Sequence, residues 1–267
     1  MSDTHRMLLE GIRFPVIGMV HLKPLPGAYG FSGSLEAVCA AALEDARALV
    51  EGGIDALMME NYGDVPFRKA ATEPHTTAAM TAIAVELRRI TTKPVGINVL
   101  RNDPRAALGI AAAVGARMIR VNVHTGAMLT DQGVIEGDAH DTLAYRRMLG
   151  TDALILADVH VKHAAPLAPI PIEVAAADAV ERGCADALIV TGSRTGSGAN
   201  IDEIARVRSA VSAPVLVGSG VTADTIGSLR GLCDGVIVGS WLKVDGNAHA
   251  AVDRERVERI MTAAREG

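Results

Sequence analysis

Short apolar runs alternate along the chain with longer stretches in which apolar residues recur every three or four positions. The runs at residues 15–20, 54–59, 95–99, 117–123, 154–163, 186–190, 214–217 and 234–238 are rich in Val, Ile, Leu and Ala. That is the pattern of strands buried on both faces. Helical patterns lie between them at 34–51, 72–90, 102–115, 139–149, 171–182, 200–210, 222–229 and 253–265. Ser34 is placed to cap the first helix and Gly52-Gly53 to stop it, and Asn102 or Asp103 opens another with Pro104 in its first turn. Each strand is followed by a helix, which predicts a parallel sheet. Eight such units in 267 residues predict one domain spanning 1–267, an α/β fold of the (β/α)8 TIM barrel type. An open doubly wound sheet is the alternative, weakened because no Gly-x-Gly-x-x-Gly follows the first strand. Residues 8–13 are expected to pack under the barrel or plug its bottom.

One of these runs changes character partway. Residues 154–163 read Leu-Ile-Leu-Ala-Asp-Val-His-Val-Lys-His, four apolar residues followed by strict alternation. Continued as a strand, this puts Asp158, His160 and Lys162 on one face. The three form either one wall of a functional cavity or a structural rung of ion pairs. Other strands end in the same way: His21 and Lys23 on the first, Glu60 and Asn61 on the second, Asn98 and Arg101 on the third. Arg120, Asn122 and His124 end the fourth, and Thr191, Ser193, Arg194 and Thr195 the sixth. Ser219 ends the seventh, and Ser240 with Lys243 the eighth. The starts of these strands are mostly apolar or Pro. Active sites of such barrels lie at the C-terminal ends of the strands, so the expected acid–base residues are Asp158, His160, Glu60 and His21. Lys23, Asn98, Asn122, His124, Lys162, Thr191 and Ser193 are the expected substrate contacts. Lys162 is either an anion contact or, if desolvated, an imine-forming amine.

Glycines add a second expectation. Gly192 lies in the loop after the sixth strand, Gly218-Ser219-Gly220 after the seventh, and Gly239-Ser240 after the eighth. These turns either merely reverse the chain or let an anion approach bare backbone N–H groups. The second reading makes Gly192, Ser219, Gly220, Gly239 and Ser240 a phosphate site. The loop at 125–138 carries Gly126, Gly133 and Gly137 and is long for a compact α/β unit. It is read as a hinged lid or as a static packed excursion.

Charge and composition exclude more than they specify. No apolar run reaches the roughly 18 residues that span a membrane, and the first residues lack the basic-then-apolar order of a signal peptide. A net charge of −5, without a basic stripe, gives no reason to expect nucleic acid. Cys39, Cys184 and Cys233 lack metal-ligand spacing, so packed, reduced thiols in a cytoplasmic protein are expected. No motif specifies a cofactor. A divalent metal on His21, Glu60, Asp158, His160 or His163 stays open, though no helical His-x-x-x-His pair sharpens it.

Several segments together carry a family resemblance. Residues 18–27 (Gly-Met-Val-His-Leu-Lys-Pro-Leu-Pro-Gly) and 59–67 (Met-Glu-Asn-Tyr-Gly-Asp-Val-Pro-Phe) are the most specific. Residues 119–124 (Ile-Arg-Val-Asn-Val-His), 130–137 (Thr-Asp-Gln-Gly-Val-Ile-Glu-Gly) and Thr191-Gly192 accompany them. With these the chain resembles the BtpA family over nearly its whole length. The resemblance implies a TIM barrel related to phosphate-binding ones. It implies either a nucleosidase or another enzyme of sugar metabolism, or a non-catalytic assembly factor for a membrane complex such as photosystem I; the strand-end acid–base residues fit a nucleosidase, a lyase or an isomerase alike. It transfers no catalytic residue. The partners expected are a small phosphorylated or sugar-like ligand and further copies of the chain in a homo-oligomer, with no stable membrane insertion.

Overall fold

The computed structural model describes residues 9–69, 71–192 and 198–266. Its elements follow in chain order as β1 (Val16–His21), α1 (Leu35–Glu51), β2 (Ala56–Glu60), α2 (Pro74–Ile90), β3 (Val95–Asn98), α3 (Pro104–Val114) and β4 (Met118–Val121). Next come β5 (Ala127–Thr130), β6 (Gly133–Glu136), α4 (Ala139–Leu149), β7 (Leu154–Val159), β8 (Ala164–Pro166) and α5 (Ile172–Ala177). The chain finishes with β9 (Ala187–Val190), α6 (Ile201–Ala210), β10 (Val215–Val217), α7 (Ile226–Leu229), β11 (Gly235–Val238) and α8 (Arg254–Arg265). The strands β1-β2-β3-β4-β7-β9-β10-β11 close on themselves as a parallel barrel. The predicted (β/α)8 barrel is therefore the fold.

Alternation of side chains within the strands separates two cores. One face of each strand packs outward on the helices, through residues such as Val20, Leu57, Ile97, Ile119, Ile155 and Leu188. The other face fills the barrel with Ile17, Met19, Met58, Met118, Leu156, Ile189, Leu216 and Ile237. Leu9 joins this inner cluster from below and is only 3% exposed, so the segment ahead of β1 does plug the barrel bottom.

The bottom rim repeats one device three times. Asp55, Asp186 and Asp234 each stand just before a strand and accept the N–H of the neighbouring strand's Val16, Ile155 and Val215 at 2.8, 2.8 and 2.9 Å. An arginine from a helix pairs with each: Arg265, Arg146 and Arg208. Orphan strand donors are thus satisfied by carboxylates, and the carboxylates by guanidinium groups. A fourth brace is fully buried. Lys243, 1% exposed, donates to Asp45 of α1 at 2.5 Å, while the other Asp45 oxygen accepts Val252 N–H at 2.7 Å.

Three local expectations are corrected. The 125–138 segment is not a free loop. β5 pairs antiparallel with β6 and with β8, giving a three-stranded sheet in the order β6-β5-β8. The sheet has its own small core of Val123, Met128, Ile135 and Val161. β7 does not continue to residue 163. It stops at Val159, because His160 adopts φ +49° and His163 φ +58°, and such left-handed residues end a ladder. Finally, Cys184 is exposed rather than packed, while Cys39 is partly buried and Cys233 buried; all three are free thiols. No helix among the described residues is long and apolar enough to cross a membrane.

Candidate active site

The inward alternation of each barrel strand turns from apolar to polar at its C-terminal end. Above Met19 stands His21, above Met58 Glu60, above Met118 Arg120 and above Leu156 Asp158. On β10 and β11 the corresponding positions are Gly218 and Gly239. Glycine leaves room there, and a cavity of about 190 Å³ opens beside it, lined by Gly218, Ser219, Gly220, Gly239, Ser240 and Trp241. A second lobe of about 430 Å³ is lined by Leu100, Arg101, Asn122, Asp131, His163 and His249. Glu60, Tyr62, Arg120 and Lys162 border both lobes, so the two form one bipartite site.

The polar floor is tightly bonded. Arg120 donates to both oxygens of Asp158, at 2.9 and 2.8 Å, and Asn122 Nδ2 donates to Oδ2 of the same carboxylate at 2.7 Å. The ion pair is closed to solvent, with side chains 3% and 0% exposed. Burial works against the charge on Arg120, but the Asp158 contact outweighs it and raises the guanidinium above its ordinary range. Asn98 Nδ2 donates to Glu60 at 2.5 Å. In both asparagines the Nδ2 faces a carboxylate, leaving the buried carbonyl oxygens Asn98 Oδ1 and Asn122 Oδ1 without a donor in the structure. Buried acceptors rarely stay unpaired, and Asn122 borders the second lobe.

His21 sits over the glycine lobe. Its ring stacks on Tyr62 at 4.4 Å, and Nε2 lies 3.9 Å from Glu60 Oε1. A Cβ on Gly239 would come within 3.1 Å of this ring. Burial is the main force on His21, opposed by Glu60 and assisted by Lys243, and it pushes the pKa down to about 4. The ring is therefore neutral at neutral pH. The Ala248 carbonyl lies 3.3 Å from Nδ1, so Nδ1 carries the proton and Nε2 presents a lone pair.

Lys162 borders both lobes, and its backbone is held on each side. Its N–H donates to Thr191 Oγ1 at 3.1 Å, and its carbonyl accepts from Arg101 Nη2 at 2.9 Å. Burial, then Arg120, lower the ammonium pKa, with Glu60 and Asp158 opposing. Arg101 is likewise lowered, mainly by burial. The rim is stiffened by Asn61, which accepts Leu100 N–H at 2.7 Å and donates to Asp64 at 3.0 Å, while Asp64 accepts Leu25 N–H at 2.8 Å.

The structure gathers His21, Glu60, Asn98, Asn122, Asp158, Lys162, Thr191, Ser219, Gly220, Gly239 and Ser240 at one end of the barrel. It does not bring His160 to them. The left-handed turn at His160 sends the ring toward Glu203 and Arg206 on α6, so Asp158, His160 and Lys162 do not share a face. His124 also leaves the site: its Nε2 lies 2.8 Å from the Gly183 carbonyl, outside the barrel. Lys23 is exposed on the loop after β1 and borders neither lobe. Gly192 follows Thr191 and is buried; Ser193 lies outside the described residues. Among the described residues no three His, Cys, Asp or Glu side chains stand close enough to hold a metal ion. Of the set considered for one, His21 and Glu60 lie together, while His160 turns away toward α6. Arg120 and Arg101 were expected at the strand ends without an assigned role, and Tyr62 and Asp131 were not expected in the site. Period-two alignment with Asn122 was the available signal for Arg120. Nothing in the sequence signals that Asp131 reaches in from the tip of the β5–β6 hairpin.

A closed parallel barrel whose strands end in a polar, two-lobed cavity defines a (β/α)8-barrel protein with a candidate site at the C-terminal face. The chain belongs to the BtpA family, whose model matches residues 13–266. It is 48% identical to the photosystem I biogenesis protein BtpA of Synechocystis over 95% of this chain and 88% of that protein. It is 46% identical to an uncharacterised protein of Thermococcus kodakarensis, over 95% and 96% of the two chains. Among solved structures it resembles thiamine phosphate pyrophosphorylase of Pyrococcus furiosus, with TM-score 0.60 and 17% identity over 95% and 96% of the chains. It also resembles tryptophan synthase of Mycobacterium tuberculosis, with TM-score 0.60 and 20% identity over 96% and 94%. At these identities the likeness is one of fold.

Proposed function

We propose that this chain is an enzyme acting on a phosphorylated sugar or nucleoside by acid–base chemistry. The observation that carries the reading is the glycine lobe. Inward-facing side chains are absent at Gly218 and Gly239 on adjacent strands, and the backbone N–H groups of Ser219, Gly220 and Val221 donate to no acceptor among the described residues. Gly220, at φ +66°, bends this run toward the cavity in a conformation other residues rarely adopt. Bare amides beside Arg120 and Lys162 suit a phosphate group. The unpaired Asn122 oxygen, bordering the second lobe, calls for an O–H donor, which a sugar hydroxyl supplies. Proton transfer falls to Glu60 and to the Nε2 lone pair of His21; groups so placed contribute about 10²–10⁴-fold each. Asp158 has both oxygens engaged, and its part is to position Arg120.

The name of the cyanobacterial relative favours a second reading, a non-catalytic factor for assembly of a membrane complex. That reading gives no role to a buried polar cavity with an unpaired acceptor. Titrating phosphate while following amide NMR shifts tests the proposal: Gly220, Gly239 and Ser240 are expected to move and saturate. Unmoved amides at high phosphate would count against it.

A further inference from the structure

Two lysines stand near the top of the barrel, Lys243 buried and Lys162 half-buried, and their surroundings differ sharply. Lys243 is bonded to Asp45 at 2.5 Å and fills a structural role. Lys162 stands where the two lobes meet, and among the described residues its amine pairs with no carboxylate and donates to no acceptor. Even partial burial of an ammonium without a partner is costly. Thr191 and Arg101 hold the Lys162 backbone on both sides, which places its side chain at the border of both lobes. Asp158 is the carboxylate that would have neutralised it, but both Asp158 oxygens are taken by Arg120 and Asn122. Glu60, a carboxylate that does border both lobes, is held by Asn98. An amine kept unpaired, on a held backbone, and set between a phosphate-sized lobe and a polar one is arranged to react.

From this geometry we propose that Lys162 is a nucleophile that forms an imine with the carbonyl carbon of an open-chain phosphorylated sugar. The inference rests on the function proposed above and narrows it to carbonyl substrates, so that lyase or isomerase chemistry is favoured over nucleoside cleavage. The Nζ lone pair forms the C–N bond as the C=O π pair moves to oxygen. That oxygen takes a proton, and the resulting hydroxyl departs as water with a proton from nitrogen. Net, an ammonium and a carbonyl become an iminium and water, with one positive charge before and after and no oxidant or reductant. The iminium then draws electrons from the neighbouring C–H or C–C bond, and the released proton passes to Glu60 or His21 Nε2. The depressed ammonium pKa agrees with this role, since only the neutral amine attacks.

The test uses the intact protein with dihydroxyacetone phosphate and cyanoborohydride, followed by peptide mass spectrometry. The reduced adduct is expected on Lys162, enriched at least about tenfold over the exposed Lys23, because a bound carbonyl reacts at high effective concentration. Lys162→Met should remove that adduct while leaving Lys23 labelling unchanged. Competing inorganic phosphate should suppress labelling of Lys162 alone. Adducts spread over exposed lysines, with Lys162 unlabelled, would overturn the imine assignment; phosphate-induced shifts at Gly220 would then show that the anion site survives it. Equal labelling of Lys162 by dihydroxyacetone and by its phosphate would support the nucleophile and refute the phosphate lobe.

Discussion

Replacing Asp158 by Asn keeps the side chain's shape, so it removes charge without opening a cavity. Three hydrogen bonds converge on this carboxylate, two from Arg120 and one from Asn122, at 2.7–2.9 Å. An amide offers one acceptor and turns an NH2 group toward a donor, so at least one contact becomes repulsive, and Arg120 stays charged and buried. Orphaning one member of a buried pair costs about 3–5 kcal/mol, a large share of the roughly 5–15 kcal/mol that holds a folded protein. At about 2–4 °C per kcal/mol for chains near this size, the melting temperature should fall by roughly 6–20 °C. The assay is equilibrium urea denaturation with thermal melts on Asp158→Asn, Arg120→Met and the double Arg120→Met/Asp158→Asn. The double variant should be much more stable than the sum of the single losses, because it leaves no buried charge unpaired. A loss below about 1 kcal/mol for Asp158→Asn, the range of an exposed pair, would refute the reasoning. So would strict additivity in the cycle.

Further outcomes follow from the other buried groups. Folded His21 stays neutral down to about pH 4, whereas the unfolded chain takes up that proton near pH 6.5. The His21 contribution to stability is therefore complete above about pH 6.5 and lost as pH falls toward 4, worth about 3 kcal/mol. Melting temperatures of His21→Gln should fall less steeply across this window than those of the wild type, and parallel curves would disprove the shift. His124 and His160, also lowered mainly by burial, add to the wild-type slope in the same sense and are retained in the variant. Lys243→Met should cost about 3–5 kcal/mol by stranding Asp45, and Lys243→Met/Asp45→Asn should recover part of it in urea titrations. A double variant no more stable than the single would show that Asp45 does not need the lysine.

The eight barrel strands were legible because each is buried on both faces and so reads as a short apolar run. The polar crown was legible for the same reason: side-chain period two carries the register from Met58 to Glu60 and from Met118 to Arg120 without knowledge of the third dimension. What failed was local geometry. Alternation alone extended β7 through His160 and Lys162, but a single left-handed residue at His160 ends the ladder and reverses which side chains meet the cavity. The β5–β6 hairpin was read as a loop because its strands are only four residues each. Its third strand, β8, lies beyond an intervening helix and barrel strand. Lys243 seemed one more rim residue because its partner Asp45 is 198 positions away, and no local pattern reports such a contact. Asp131 entered the site by the same kind of long-range placement.

Leu9 closes the barrel from below, and the inner cluster above it fills the bore as far as Met19 and Met58. The cavity is in consequence closed at its lower end, and among the described residues Asp131 at the hairpin tip, His163 and His249 stand at its upper lobe. Traffic through a space closed at one end is sequential. If two molecules are produced inside, the one nearer the opening has to leave before the other can pass. Product inhibition patterns should then reveal an order of departure imposed by the shape of the room rather than by the affinity of either occupant.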